Sequence, residues 1–336
     1  MEKKNNYHAA RVGVDLVGSD AAPEELLEGV LELVSNLEEP IDITVFATQE
    51  IFDKVQCGPE IRCHTVTEII SMEDDPLSSI RLKKDSSLNV GLSMLAKFEL
   101  DAFVSAGNTG ALMAGSKFHL EALPGIDRPA LAALIPTKDD PVAVLDIGAN
   151  VNAKAENLVQ FALMGIAYQK ARGVSHPTVG LLNIGEEERK GTPELQKAYK
   201  QLQELNHNAP TDAPVFLGNV EGRDVFHGNI DVLITDGFTG NVFLKTAEGI
   251  AAFIFENLQN LGPIESMPIV KNFIKTLRHR LHYAEYPGAI LCGVNGVVIK
   301  CHGDVTPKAI QSSITSASRL VRHFFLEKIK SELTHP

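Results

Sequence analysis

The chain has 336 residues, 44% hydrophobic and 22% charged, with a formal net charge of −12 at pH 7. That length holds one large α/β domain or two smaller lobes and supplies an ample apolar core. The acidic balance argues against a general nucleic-acid binder, and no apolar run approaches the ~18 residues that a membrane-spanning helix needs. Four cysteines, Cys57, Cys63, Cys292 and Cys301, show neither C-x-x-C nor zinc spacing and read as reduced thiols of a cytosolic protein. The opening MEKKNNYHAA is polar and passes directly into a strand, with no secretory hydrophobic region, which gives a cytoplasmic expectation.

In chain order, aliphatic or β-branched runs predict strands at Val12–Leu16, Ile43–Ala47, Ala102–Ser105, Val142–Ile147, Thr178–Asn183, Val215–Gly218 and Val232–Thr235. Helical patterns lie between them. Leu26, Leu27, Val30, Leu33, Val34 and Leu37 share one face of a helix that Pro23 is placed to start. Leu158–Arg172 and Pro193–Leu205 read as further helices. Continuous apolar strands alternating with helices predict an α/β fold, a mainly parallel sheet sandwiched by helices. The expected organisation is a flexible residue 1–10 segment, then a single α/β domain over 11–333. Residues 256–288 are expected to form a helical, basic-aromatic excursion within it, for dimer, carrier-protein or membrane contact.

The segment Asp101–Gly115, DAFVSAGNTGALMAG, combines a strand, a glycine-rich turn and a helix of small residues. Amides at such a turn, with the positive end of the helix behind them, suit an anion. Gly107 and Gly110 allow close backbone approach, and Asn108 and Thr109 add side-chain hydrogen bonds. Ala111, Ala114 and Gly115 allow the helix to pack tightly on its sheet. The spacing is neither Walker A nor G-x-G-x-x-G.

Other strands end in similar chemistry. Val142–Ile147 leads to Gly148, Ala149 and Asn150; Thr178–Leu182 leads to Asn183, Gly185, Glu186, Glu187 and Lys190. Val215–Leu217 leads to Gly218, Asn219, Glu221, Gly222 and Arg223. Val232–Thr235 leads to Asp236, Gly237, Thr239, Gly240 and Asn241, with Lys245 a turn later. Asn, Asp and Gly also favour turns for local reasons. Ligands of open parallel sheets nevertheless bind beyond the carboxyl ends of strands, so these turns predict a functional crevice.

No G-x-S-x-G, H-E-x-x-H, kinase or P-loop pattern supplies a nucleophile and base. The closest histidines, His279 and His282, sit in a basic segment and read as surface. Such a crevice suits a reaction that brings its own nucleophile, and phosphate attacking a thioester fits. By analogy with phosphoesters, much of the phosphate is already dianionic at neutral pH, and a thiolate leaves without strong acid assistance. Orientation and oxyanion stabilisation then remain for the protein.

The residues that match a known family run through nearly the whole chain: KKDSS (Lys83–Ser87), SAGNTGALMAG (Ser105–Gly115), GIDRPALAALIPT (Gly125–Thr137), VLDIGANV (Val144–Val151) and LVQFALMG (Leu158–Gly165). VGLLNIGEEERKG (Val179–Gly191), GNVEGRD (Gly218–Asp224), DGFTGNVFLKTAEG (Asp236–Gly249) and GVNGVVIKCHG (Gly293–Gly303) follow in order. On these segments the chain resembles the PlsX phosphate acyltransferases. The resemblance implies transfer of acyl groups from acyl carrier protein to inorganic phosphate. It further implies that the acyl phosphate feeds a membrane glycerol-3-phosphate acyltransferase in phospholipid synthesis. It also implies homodimers and a fold similar to the phosphotransacetylases and the isocitrate and isopropylmalate dehydrogenases. One departure lies near the N-terminus, where the family carries D-x-M-G-G-D-H-x-P. Here the second glycine is Ser19 and the histidine is Ala21, so no catalytic histidine stands there. Asp15 and Asp20 remain, to orient a basic group or, as the favoured expectation, to cap the first helix.

With that resemblance, the residues expected to be catalytic are Lys84, Asp85, Asn108, Asn183, Lys190, Asp236 and Lys245. Lys84 supplies positive charge and Asp85 holds it; the alternative for Lys83, Lys84 and Asp85 is a solvated helix start. Ser105, Gly107, Asn108, Thr109 and Gly110 are expected to bind phosphate or the oxyanion, and Asn150, Glu187, Asn219, Arg223, Thr239 and Asn241 the substrate. Three consecutive carboxylates, Glu186–Glu188, cannot all face one ion and read as a solvated turn, so no metal or cofactor is expected. In Ile269–Leu281, Val270, Phe273, Ile274, Leu277 and Leu281 share a helical face flanked by Lys271, Lys275 and Arg278. This reads as core or dimer packing, or as contact with the carrier protein or a membrane surface, and the resemblance favours reversible membrane contact through Lys271, Phe273, Lys275 and Arg278. Two other classes stay open: a phosphotransacetylase acting on acyl-coenzyme A, and a non-enzymatic acyl-binding protein. An NAD dehydrogenase is weaker, because no dinucleotide fingerprint is present.

Overall fold

The chain opens with β1 (Ala10–Asp15), α1 (Pro23–Ser35), β2 (Ile41–Ala47), α2 (Gln49–Lys54) and β3 (Ile61–Thr65). It continues through α3 (Pro76–Leu82), α4 (Ser87–Ala96), β4 (Ala102–Ser105) and α5 (Thr109–His119). Next come β5 (Ala130–Ile135), β6 (Val142–Leu145), α6 (Ala155–Ala171), β7 (Val179–Leu182), α7 (Pro193–Asn208) and β8 (Phe216–Val220). A short 3-10 turn, Asp224–His227, precedes β9 (Val232–Ile234) and α8 (Gly237–Gln259). The final elements are β10 (Ala289–Cys292), β11 (Val297–Lys300), α9 (Pro307–Arg322) and α10 (Phe325–Thr334). The structure, a computed structural model, describes residues 9–37, 39–208, 216–259, 272, 288–301 and 305–334. Lys271, Phe273, Lys275, Arg278, His279 and His282 lie outside the described residues.

Two compact units emerge, one from residues 1–129, 171–173 and 287–335, the other from 130–170 and 174–286. In the first, the strand order is β3-β2-β1-β4-β11-β10. All neighbours run parallel except β10, which pairs antiparallel with β11. In the second the order is β5-β6-β9-β7-β8, parallel except for β5 against β6. β4, β6, β7 and β9 are buried along their whole length, which is why their sequences are continuous apolar runs rather than alternating ones.

The mainly parallel α/β arrangement agrees with the sequence expectation, and Ala102–Ser105 is a strand over those residues. Four strands escaped the pattern. β3 is amphipathic, and β5, β10 and β11 belong to antiparallel hairpins without helices between their strands. α1 begins at Pro23 and ends at Ser35, short of Leu37, and its N-cap is Ala22 with no side-chain hydrogen bond. Asp15 and Asp20 therefore do not cap it, contrary to expectation. Gly115 packs α5 against helices, not the sheet: a Cβ there would meet Leu92 Cδ1 at 2.8 Å and Ile80 Cδ1 at 3.0 Å. Cys57 and Cys63 are disulfide-paired rather than reduced, while Cys292 and Cys301 are free and buried.

Candidate active site

In the first unit, β1, β4 and β11 end at one level. Asp15 stands opposite Ser105, and Ser105 opposite Lys300. Residues paired across a parallel ladder project to the same face, so strand register alone gathers a carboxylate, a hydroxyl and an ammonium. All three are buried. Ser105 Oγ donates to Asp15 Oδ2 at 2.7 Å and accepts from the Gly107 amide at 3.1 Å. The Val17 amide donates to Asp15 Oδ1 at 3.1 Å. Lys300 Nζ donates to the Ala106 carbonyl at 3.3 Å and to the Cys301 carbonyl. Burial pushes the Asp15 carboxyl up to about 6, against the opposing pull of the Ser105 and Ser87 hydroxyls, the Val17 amide and the Lys300 charge.

Above this base lies the Gly107–Gly110 turn. A Cβ on Gly107 would meet Asp15 Oδ2 and the Val17 carbonyl, each at 3.2 Å, so the backbone passes directly over the buried carboxylate. Asn108 caps α5, its Oδ1 accepting from the Ala111 amide at 3.0 Å. Its Nδ2 donates to the carbonyls of Ser71 at 3.1 Å and Met72 at 3.2 Å. Lys83 clamps the same loop through Ile69 O at 2.7 Å and Asp74 Oδ2 at 2.6 Å, which holds the Asp74 carboxyl below its usual range. Lys83 is thus a brace rather than a solvated helix start. The amides of Thr109 and Gly110, at the positive end of α5, have no hydrogen-bond partner among the described residues. They are the donors an anion can take.

Two expectations for this unit change. Asp85 does not hold Lys84: its carboxylate accepts from the Thr67 amide at 2.9 Å and from the Thr67 hydroxyl, which lowers its pKa. Lys84 Nζ lies 4.9 Å from the Phe118 ring centre. Phe118 is in the last turn of α5, about 14 Å along the helix axis from the Thr109 end, so Lys84 is not brought to the turn. Sequence reasoning placed Ser105 correctly beside the turn but assigned no role to Lys300. An isolated lysine at the end of a strand carries no signal until its neighbours are known.

In the second unit, Asn183 and Asn219 meet. Asn183 Nδ2 donates to Asn219 Oδ1 at 3.0 Å and to the Lys190 carbonyl at 3.2 Å, while Asn219 Nδ2 donates to the Glu187 carbonyl at 2.9 Å. Together they brace the loop that carries Glu187 and Lys190, whose side chains are 3.8 Å apart. The Glu186–Glu188 run is exposed. Arg223 is largely exposed and faces Glu221 at 3.2 Å.

Asp146, unassigned from sequence, directly follows β6 and is fully buried. It accepts from the amides of Leu131, Gly148, Ala149 and Asn150 at 2.6–3.2 Å, and from Asn150 Nδ2 at 2.9 Å. Burial raises its pKa, and these donors oppose the rise. The amide cluster after β6 is therefore filled by the protein's own carboxylate, with the Asn150 side chain engaged there. Asp236 accepts from the amide and hydroxyl of Thr239 at 2.8 and 2.9 Å, stabilising the start of α8. Asn241 is exposed beside Gly148, and Lys245 pairs with Glu248 at 2.8 Å.

The fold is similar to that of solved structures. A phosphotransacetylase from Streptococcus pyogenes superposes with a TM-score of 0.64 at 13% identity, covering 94% of each chain. A branched-chain phosphotransacylase from Enterococcus faecalis gives 0.59 at 16% identity, over 94% of this chain and 99% of that one. At such identities the likeness bears on the fold. Sequence carries the closer relation: the fatty acid synthesis protein family matches residues 10–328, and the chain belongs to it. Phosphate acyltransferases of Thermoanaerobacter pseudethanolicus and Chlamydia abortus are 41% and 38% identical, each over 96% of this chain and 97% and 99% of their own. The protein is thus an enzyme of the phosphate acyltransferase family, as the sequence resemblance implied.

Proposed function

We propose that the enzyme moves a fatty acyl group from the thioester of acyl carrier protein to inorganic phosphate, and that phosphate sits at the Ser105–Gly110 turn. The observation that carries this reading is the pair of amides, Thr109 and Gly110, that have no partner among the described residues at the positive end of α5, in a turn whose Ala106 carbonyl is held by a buried lysine. In the reaction, a phosphate oxygen attacks the thioester carbonyl and forms the C–O bond. The resulting oxyanion collapses, the C–S bond breaks, and the carrier leaves as a thiolate that takes the phosphate's remaining proton. The products are acyl phosphate and the free carrier thiol. Backbone amides supply orientation and charge stabilisation, and no side-chain nucleophile is required.

The braced loops of the second unit, with Lys190 and Arg223 as their cations, are proposed contacts of the acyl donor. Phospholipid synthesis as the destination, homodimerisation and reversible membrane contact through Lys271, Phe273, Lys275 and Arg278 belong to the same reading. Among the described residues, no helix is long and apolar enough to cross a membrane. The test supplies purified enzyme with a long-chain acyl carrier protein, or with the matching acyl-coenzyme A, and varies phosphate. Phosphate-dependent release of carrier thiol with formation of acyl phosphate supports the reading. Release without phosphate overturns it, and a clear preference for the coenzyme A thioester reassigns the donor.

A further inference from the structure

We infer that Lys300 is a positioning residue for the phosphate site: its buried ammonium fixes the Ala106–Gly107 peptide and holds positive charge behind the turn. The inference rests on the proposed reading and adds a residue that the reading does not require.

Lys300 is 5% exposed, and Asp15 and Ser105 are fully buried. Desolvating an ammonium is unfavourable, and a hydrophobic side chain of similar size would pack there with less penalty. The lysine is nevertheless held on two backbone carbonyls, Ala106 and Cys301. The Ala106 carbonyl and the Gly107 amide belong to one peptide unit, and that amide donates to Ser105 Oγ. Lys300 and Ser105 therefore grip opposite ends of the peptide that opens the turn. Cys301 continues the grip, its amide donating to the Ser105 carbonyl at 2.9 Å.

Charge gives a second argument. An anion at the turn would share it with the Asp15 carboxylate, over which Gly107 passes and which by itself repels an anion. Lys300 offsets that carboxylate from β11, on the other side of β4. The groups facing Asp15 are the Ser87 and Ser105 hydroxyls, the Val17 amide, Lys300 and the Cys301 thiol, and the thiol is held neutral by burial and by Asp15 itself. Among the described residues, Lys300 is thus the cation that lets a carboxylate and an anion share this end of the sheet.

The experiment compares wild type, Lys300→Met and the double variant Lys300→Met/Asp15→Asn in full-length enzyme. It measures KM for phosphate, KM for the acyl thioester, and the shift in melting temperature produced by inorganic phosphate alone. Lys300→Met is expected to raise the phosphate KM at least ~10-fold while leaving the thioester KM within ~2-fold. The double variant, with no buried charge left unpaired, recovers a large part of that loss. If Lys300→Met does not fold, the double variant decides: a phosphate KM no higher for it than for Asp15→Asn alone overturns the inference. Wild-type phosphate affinity in Lys300→Met, or equal loss for both substrates, also overturns it. A wild type that is stabilised by phosphate yet releases no thiol would end the proposed reaction and leave Lys300 to be judged by the melting shift. No phosphate effect of either kind in wild type would end both.

Discussion

The side-chain amide of Asn108 donates to the Ser71 carbonyl at 3.1 Å while its oxygen accepts from the Ala111 amide at 3.0 Å. One residue therefore caps α5 and anchors the loop before α3, leaving the following backbone amides open. Asn108→Ala should cost about 1 kcal/mol for the lost cap, with more from the released loop carbonyls. Turnover should fall at least ~10-fold as the turn loses its geometry. Urea unfolding and steady-state rates check both, and an unchanged rate would remove the turn from the site.

Lys84 gives the converse case. Its ammonium lies against Phe118, at the far end of α5. Lys84→Met should leave the phosphate KM within ~2-fold, since a charge this far away in a solvated setting is strongly screened. A large rise in that KM would return Lys84 to the phosphate site.

Asp15 makes stability depend on pH with a definite sign. Its folded pKa of about 6 is above the ordinary 3.8, so the folded state holds the proton more tightly than the unfolded chain. The contribution is full below pH 3.8 and is lost as pH rises through about 6. A shift of this size corresponds to roughly 3 kcal/mol. The stability difference between Asp15→Asn and wild type should therefore move in favour of the variant between pH 4 and pH 7. Denaturant midpoints at the two pH values measure it, and a flat difference contradicts a raised pKa.

Gly240 lies against the β6 turn, where an added Cβ would fall on the Asp146 carbonyl. Neither backbone segment can yield without moving the start of α8. Gly240→Ala should destabilise by about 2–3 kcal/mol or more, the range of an overpacked core. Thermal melting tests this, and a wild-type midpoint would show that the segments part easily.

The basic residues of the segment 269–281, read from sequence, carry the membrane proposal. The triple variant Lys271→Glu, Lys275→Glu and Arg278→Glu should lose flotation with anionic liposomes, because each cation near such a surface contributes about 1 kcal/mol. Equal flotation of variant and wild type would end that proposal.

Parallel strands and the α5 turn were legible because their signals are local. An unbroken apolar run marks a strand buried on both faces, and G-N-T-G before small residues marks a tight strand-to-helix turn. The hairpin strands β5 and β10 were not read, since nothing between hairpin strands resembles a crossover helix. Among candidate site residues, Asn183 and Asn219 were both singled out, but their contact was invisible across 36 positions. Lys84 and Asp85 suggested a pair by adjacency, and local geometry sent one to Phe118 and the other to Thr67.

By itself the sequence determined the α/β class, the glycine-rich turn after β4 and the family, because each follows from residue order over short spans or from motifs in series. Tertiary structure decided which charges are buried and what answers them. Lys300 reaches the Ala106 carbonyl over 194 positions, and Asp15 reaches Ser105 over 90. Burial and pairing of charge depend on strand order and register, and those are set when distant segments close together rather than by any neighbour in the chain.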